Sequence, residues 1–126
     1  MKYGGSCHCG AVTFAVEAPA EVEAEQCNCS ICSKSGFLHL IVPASKFQLL
    51  TGRDELTTYT FNTGVAQHYF CRHCGIKPFY IPRSNPDGID INLNCLDSKP
   101  ARIRIVAFDG RNWEAHAASL AHKSRD

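Results

Sequence analysis

The chain has 126 residues, 44% of them hydrophobic, which is typical of one globular domain and excludes a disordered chain. Lysine and arginine number 13 against 12 acidic residues, so the charge gives no attraction to nucleic acid or to a membrane surface. No apolar run is long enough to span a bilayer.

The first half of the chain reads as short strands separated by turns. Apolar side chains alternate with smaller or polar ones from Ala11 to Val16, which predicts a strand with one buried face. Val22 and Ala24 begin a second strand that leads into Cys27. The other strands predicted in this half are 37–42, 47–50 and 57–61, with a turn at 52–55.

The second half continues in the same way and ends in a short helix. Residues 65–70 are predicted to form a hairpin with 57–61, and further strands are predicted at 78–81, 89–93 and 103–108. Asn112 is a candidate cap for a helix from Trp113 to about Leu120, and we expect the tail from about residue 120 to be frayed. Residues 1–126 are therefore predicted to form a single all-β, antiparallel domain with little helix.

Cysteine is strongly enriched, with eight residues in the chain. No apolar segment typical of a signal peptide follows Met1, so we expect a cytoplasmic protein in a reducing environment. In that setting many cysteines indicate metal binding or redox chemistry, whereas in a secreted domain they would indicate disulfides.

Seven of the eight cysteines fall into three tight clusters. The clusters are Cys7-His8-Cys9, then Cys27-Asn28-Cys29-Ser30-Ile31-Cys32, then Cys71-Arg72-His73-Cys74. A tight turn between two cysteines directs both sulfur atoms at one point, as tetrahedral zinc requires, and glycines such as Gly75 and Gly10 permit the left-handed backbone of such turns. The two pairs can combine into one closed site of four thiolates, a structural zinc. Cys27, Cys29 and Cys32 then remain as an open, three-ligand set typical of a catalytic zinc.

Other interpretations of these cysteines stay open at this stage. A histidine such as His39, His68 or His73 could complete the triple and make it a second structural site. A single C-x-x-C could also be a redox motif. Cys95, in an apolar strand pattern, is predicted to be a core thiol rather than a ligand.

The three cysteine motifs and their flanking residues resemble the glutathione-dependent formaldehyde-activating enzymes, a family that includes the zinc domain of a centromere-associated protein. The similar segments are Gly5-Ser6-Cys7-His8-Cys9-Gly10 with the strand that follows, Cys27 to Cys32 with Ser35-Gly36, Phe70-Cys71-Arg72-His73-Cys74-Gly75, and Asn94-Cys95-Leu96-Asp97. The resemblance covers residues 3–114. Two features depart from the family pattern: Asn28 stands where many relatives carry histidine, and only six residues precede Cys7.

The resemblance implies a β-tent-like fold and two zinc ions per chain. It assigns Cys7, Cys9, Cys71 and Cys74 to the structural zinc, and Cys27, Cys29 and Cys32 to the catalytic zinc. It implies a carbon–sulfur lyase activity, the reversible joining of glutathione and formaldehyde as S-(hydroxymethyl)glutathione.

The three-cysteine set favours chemistry on a substrate thiol. Zinc with three thiolates carries a formal charge of about −1, so it activates water poorly and suits a substrate sulfur as its fourth ligand. Lys34 is a candidate contact for a substrate carboxylate or a solvated surface lysine, and His39 and His68 are candidate acids. The competing functions are a non-catalytic zinc-binding module or thiol carrier, and a redox sensor whose thiolates oxidise and release zinc.

Overall fold

The computed structural model describes residues 1–125, which form ten strands in two sheets and two short α-helices. The strands are β1 (Lys2–Ser6), β2 (Thr13–Glu17), β3 (Glu21–Cys27), β4 (Leu38–Pro43), β5 (Phe47–Thr51), β6 (Leu56–Tyr59), β7 (Gln67–Cys71), β8 (Phe79–Ile81), β9 (Gly88–Asn92) and β10 (Arg102–Phe108). The helices are α1 (Ser30–Ser35) and α2 (Trp113–His116). Short 3₁₀ segments lie at Ala44–Lys46, Arg53–Glu55, Leu93–Cys95, Gly110–Asn112 and Ala117–Ser124.

The strands form a three-stranded sheet in the order β1-β2-β5 and a seven-stranded sheet in the order β10-β3-β4-β9-β8-β7-β6. The predicted all-β class with little helix is confirmed, and so is the hairpin of β6 and β7. One pair differs from the predicted antiparallel arrangement, because β10 runs parallel to β3. Strand direction at this edge depends on the long connection between the two strands, which no local pattern reveals.

One face of the seven-stranded sheet packs against the three-stranded sheet. Successive side chains of a strand point to opposite faces, so Leu40, Ile91 and Phe79, which are cross-strand partners, share one face. The Phe79 ring lies 6.1 Å from the Phe14 ring and 4.7 Å from the Phe47 ring of the smaller sheet. The apolar core therefore lies between the sheets and leaves the other face of the larger sheet free to form a site.

Two elements were not predicted. Strand β1 contains Gly4 and Gly5, which have low strand propensity, yet it pairs antiparallel with β2 along its whole length. Gly5 is needed at this place, because a Cβ atom there would lie 2.3 Å from Cζ of Phe14. Helix α1 has six residues and no apolar periodicity, so it gives no helical signal in the sequence.

The C-terminal segment differs from both predictions made for it. Helix α2 ends at His116, and the side chain of Asn112 makes no capping bond to it. Beyond it, Ala117–Ser124 is packed rather than frayed, with Leu120 and Ser124 buried. Contacts with residues that are distant in the sequence hold this segment in place. Such contacts leave no local pattern, so the sequence alone suggested a frayed tail. No helix within residues 1–125 is long and apolar enough to cross a membrane.

Asn85 holds this segment against the sheet. Its side chain is buried, and Nδ2 donates to the carbonyl oxygen of Leu120 at 2.8 Å and to Oγ of Ser124 at 2.9 Å. Asn85→Ala leaves these buried acceptors without their donor, so we expect the free energy of unfolding to fall by about 1–3 kcal/mol. Urea denaturation measures this change. Asn94→Ala, at an exposed asparagine, is the control, and equal stability of the two variants would contradict the prediction.

Candidate metal centre

Four cysteines meet where the turn after β1 approaches the end of β7. The sulfur atoms of Cys7, Cys9, Cys71 and Cys74 all lie within 4.8 Å of one another. The Cys7–Cys9 sulfur distance is 3.7 Å, and the Cys9–Cys71 distance is 3.6 Å. Thiolates bound at about 2.3 Å in a tetrahedron stand about 3.8 Å apart. The four-cysteine group therefore has the dimensions of a closed tetrahedral metal site.

Backbone groups support this four-cysteine group. The N–H of Val12 donates to Sγ of Cys7, and the N–H of His73 donates to Sγ of Cys71, each at 3.4 Å. Gly10 and Gly75 have φ values of 83° and 75°, in the left-handed region that their turns were predicted to need. N–H donors directed at sulfur favour the thiolate form, which is the form that binds a metal.

Three further cysteines meet at the start of α1. Cys27 ends β3, Cys29 immediately precedes α1, and Cys32 lies in the first turn of that helix. Their sulfur atoms lie within 4.8 Å of one another, and within residues 1–125 no histidine nitrogen joins this group or the four-cysteine group at that spacing. The structure therefore brings together the ligand sets that the cysteine spacing predicts, without His39, His68 or His73.

The donor chemistry of the three-cysteine group fits a cation. Hydrogen bonds with Cys27 and Cys32 lower the pKa of Cys29 to about 2, whereas hydrogen bonds with Cys27 and Cys29 raise the pKa of Cys32 strongly. Thiolates at this spacing repel one another, so full deprotonation of the three cysteines requires a positive ion among them. Both cysteine groups can hold a metal ion, and their all-sulfur composition is consistent with zinc.

Asn28 connects the three-cysteine group to the turn after β10. Its Nδ2 donates to Oδ1 of Asp109 at 3.0 Å, and its Oδ1 accepts from the N–H of Arg111 at 3.0 Å. Its backbone carbonyl accepts from Nε of Arg111 at 3.1 Å. At the position where many relatives are expected to carry histidine, the side chain of Asn28 therefore clamps two loops together.

The three-cysteine group opens into a cavity of about 240 Å³. Cys27, Cys29 and Cys32 line this cavity, and none of the cysteines in the four-cysteine group does. Its aromatic lining includes Phe61, Phe108 and Trp113, and the packed C-terminal segment contributes Leu120.

The cationic group at the cavity is Arg83 rather than Lys34. Arg83 lines the cavity and stacks 3.8 Å above the Trp113 ring. Lys34 is exposed at the end of α1 and does not contribute to the lining. Lys34 was the candidate contact for a substrate carboxylate, whereas the cavity lining presents Arg83, which the sequence pattern did not single out.

The floor of the cavity is a line of polar side chains across the seven-stranded sheet. Glu25 is the cross-strand partner of His39, and Tyr80 is the cross-strand partner of both Asp90 and His68. Asp90 is in turn the partner of Ile41. Ile41 lies two residues after His39 on the same strand and therefore on the same face of the sheet. These five residues, which we call the polar row, come from five adjacent strands and all line the cavity. They lie on the face opposite the apolar core.

The polar row contains buried atoms without hydrogen-bond partners. Among residues 1–125, the buried side-chain atoms in this condition are Oε2 of Glu25, Nε2 of His39, Nε2 of His68 and Oδ1 of Asp90. All four belong to residues that line the cavity. Buried polar atoms without partners are costly, so their concentration here indicates a surface built to meet a polar ligand or water.

Charged neighbours hold the ends of the polar row. Lys123 of the C-terminal segment bonds to Oε1 of Glu25, while burial raises the pKa of the Glu25 carboxyl. At the other end, Nζ of Lys77 lies 2.7 Å from Nδ1 of His68 and 3.8 Å from the centre of the Tyr80 ring. Burial lowers the pKa of Lys77 to about 8, and burial together with the charge of Lys77 lowers the pKa of His68 to about 4.

The remaining sequence candidates lie outside the two groups. Cys95 lies in a 3₁₀ turn rather than a strand and packs against the core, as expected for a thiol that binds no metal. Burial raises its pKa to about 11. Nε2 of the exposed His73 lies 2.6 Å from Oε2 of Glu55 on the outer surface.

Comparison with known proteins agrees with the motif resemblance. A model of the family described as glutathione-dependent formaldehyde-activating enzyme matches residues 2–108, which include both cysteine groups. A Halomonas elongata protein provisionally named as such an enzyme is 25% identical over 125 residues, covering 90% of this chain and 80% of its own. A crystal structure of a Rhodobacter sphaeroides protein is 35% identical with a TM-score of 0.72, covering 84% of this chain and 100% of the other.

Gly110 provides the space for the three-cysteine group. A Cβ atom at this position would lie 2.4 Å from Sγ of Cys27 and 2.9 Å from Cβ of Cys29. We expect Gly110→Ala to displace these ligands and to reduce bound metal from two ions to one per chain, with the four-cysteine group intact. Cobalt substitution with thiolate charge-transfer absorbance measures this. Gly4→Ala, which meets only the flexible Asp97 side chain at 3.3 Å, is the control. Two bound ions with unchanged absorbance in Gly110→Ala would contradict the prediction.

Proposed function

Because the chain belongs to the family of glutathione-dependent formaldehyde-activating enzymes, we propose that it is a zinc-dependent carbon–sulfur lyase. Its substrate would be a thiol–aldehyde adduct of the type of S-(hydroxymethyl)glutathione, formed and cleaved reversibly. Cys27, Cys29 and Cys32 would hold the catalytic zinc, and Cys7, Cys9, Cys71 and Cys74 the structural zinc.

One observation carries this proposal: the three sulfur atoms face a cavity, whereas the four-cysteine group forms no part of that cavity. A zinc ion held by three thiolates would supply a binding position for a substrate sulfur in its thiolate form. Four thiolates leave no such position, so the four-cysteine group has the ligand number of a structural site.

The cavity would position the rest of the adduct. Phe61 and Trp113 provide apolar walls for the part of the adduct that lies beside them. Arg83 offers a guanidinium at the lining, where it suits a carboxylate such as those of glutathione. The polar row offers hydrogen-bonding groups for the hydroxyl group of the adduct.

The first test measures catalysis and thiol binding together. We expect the zinc-loaded protein to accelerate the exchange between free glutathione and its formaldehyde adduct, measured by NMR exchange spectroscopy. Cys29→Ser should keep the fold and one zinc ion but lose both the acceleration and thiol ligation, observed as a change in the cobalt spectrum. Cys95→Ser, at a cysteine outside both groups, is the control.

The outcomes separate the proposal from its rivals. Thiol ligation without acceleration by the wild-type protein would identify a thiol carrier and contradict the lyase proposal. Unfolding of Cys29→Ser would show that the three-cysteine group is structural. Release of one zinc ion by mild peroxide, with a disulfide formed among the three cysteines, would instead identify a redox sensor.

The four-cysteine group gives a separate prediction about stability. Cys71 is fully buried, and a structural zinc contributes on the order of 10 kcal/mol, comparable with the whole stability of a domain. We therefore expect Cys71→Ser to unfold even in the presence of zinc, as measured by circular dichroism. Cys95→Ser should remain folded. A cooperative thermal transition for Cys71→Ser within a few degrees of the wild type would contradict this assignment.

A further inference from the structure

The polar row contains two histidines whose Nδ1 atoms have opposite kinds of partner: a carboxylate for His39 and a lysine for His68. We propose that Nε2 of His39, oriented by Asp90, is the group that exchanges a proton with the hydroxyl of the adduct. The inference rests on the proposed lyase function and adds a catalytic residue to it.

Asp90 fixes the orientation of His39 and the position of its proton. Nδ1 of His39 lies 2.6 Å from Oδ2 of Asp90, and both side chains are almost completely buried. A carboxylate accepts hydrogen bonds, so Nδ1 carries the ring proton and donates a hydrogen bond to Asp90. Nε2 is left with its lone pair. It has no partner within the described residues, and its ring lines the cavity.

His68 has the complementary arrangement. Its Nδ1 faces Nζ of Lys77 at 2.7 Å, and a lysine can only donate when charged. Nδ1 of His68 is therefore the acceptor, and its Nε2 carries the proton and points to no partner. Stacking between Phe61 at 5.4 Å and Tyr80 at 4.7 Å holds the ring in place. The cavity floor thus contains one buried nitrogen that can accept a proton, in His39, and one buried N–H that can donate a hydrogen bond, in His68.

These two groups match the two requirements of adduct cleavage. Nε2 of His39 removes the hydroxyl proton, and the electron pair of that O–H bond becomes the second bond of the carbonyl group. The carbon–sulfur bond breaks, and its electron pair leaves with the sulfur. The proton on His39 then passes to the thiolate, so an adduct gives one thiol and one aldehyde without any oxidant or reductant. The N–H of His68 would donate a hydrogen bond to the oxygen atom of an adduct that reaches both histidines.

His39 also has charged and titratable neighbours on the elements packed around it. Cys29 in the loop before α1, Glu25 on β3 and His68 on β7 all interact with it electrostatically. Asp90 on β9 bonds to it, and the Tyr80 hydroxyl on β8 lies 3.4 Å from its Nδ1.

The test compares His39→Gln with the wild type in adduct exchange, thiol ligation and zinc content. We expect the exchange rate to fall about 100-fold or more, the usual contribution of a positioned acid or base, while zinc content and thiol affinity stay within about twofold. His122→Gln, at an exposed histidine, is the control. Added imidazole should restore part of the activity of His39→Ala.

Asp90→Asn tests whether Asp90 orients His39, and it is the deciding variant if His39→Gln does not fold. The amide cannot stabilise the protonated His39 formed during the reaction, so the rate should fall while zinc content and thiol affinity stay at the wild-type values. Full activity of His39→Gln, a wild-type rate in Asp90→Asn, or loss of the second zinc ion from a folded His39→Gln would each overturn the inference. An inactive wild-type protein would instead refute the proposed function itself.

Discussion

Strand register in the seven-stranded sheet is the constraint on which the rest of the molecule depends. Because side chains alternate between faces, the same strands that place Leu40, Ile91 and Phe79 in the core place His39, Asp90 and Tyr80 on the opposite face. A shift of one residue in any of these strands would exchange the two faces. The apolar core therefore does more than stabilise the fold, since its packing fixes the alignment of the polar row.

The two cysteine groups use this sheet in different ways. The four-cysteine group brings the turn after β1, in the smaller sheet, next to the end of β7 in the larger one, so a metal ion bound there would cross-link the two sheets. The three-cysteine group lies at the end of β3 and is held by the clamp of Asn28 on the turn after β10. The first group joins two sheets, whereas the second lies beside the cavity that the larger sheet supports.

Local features of the chain were predictable from sequence, and long-range ones were not. Cysteine spacing predicted the three clusters because tight turns bring nearby sulfur atoms together, and counting ligands then predicted that the two distant pairs combine, as the structure has them. The polar row draws one residue from each of five strands, and no spacing in the chain relates Glu25 to His68. Burial of the C-terminal segment was missed for the same reason, since Asn85 holds it from a distant loop. Helix α1 was too short to show periodicity.

The parallel pairing of β3 with β10 bears on the order in which the protein assembles. It joins Glu21–Cys27 to Arg102–Phe108, so β3 gains this neighbour only after most of the chain has been synthesised. Cys27, Cys29 and Cys32, in contrast, lie close together in the chain and can bind a metal ion while it is still largely unfolded. Metal capture at the three-cysteine group would then precede closure of the sheet, and the cavity would form around an ion already in place.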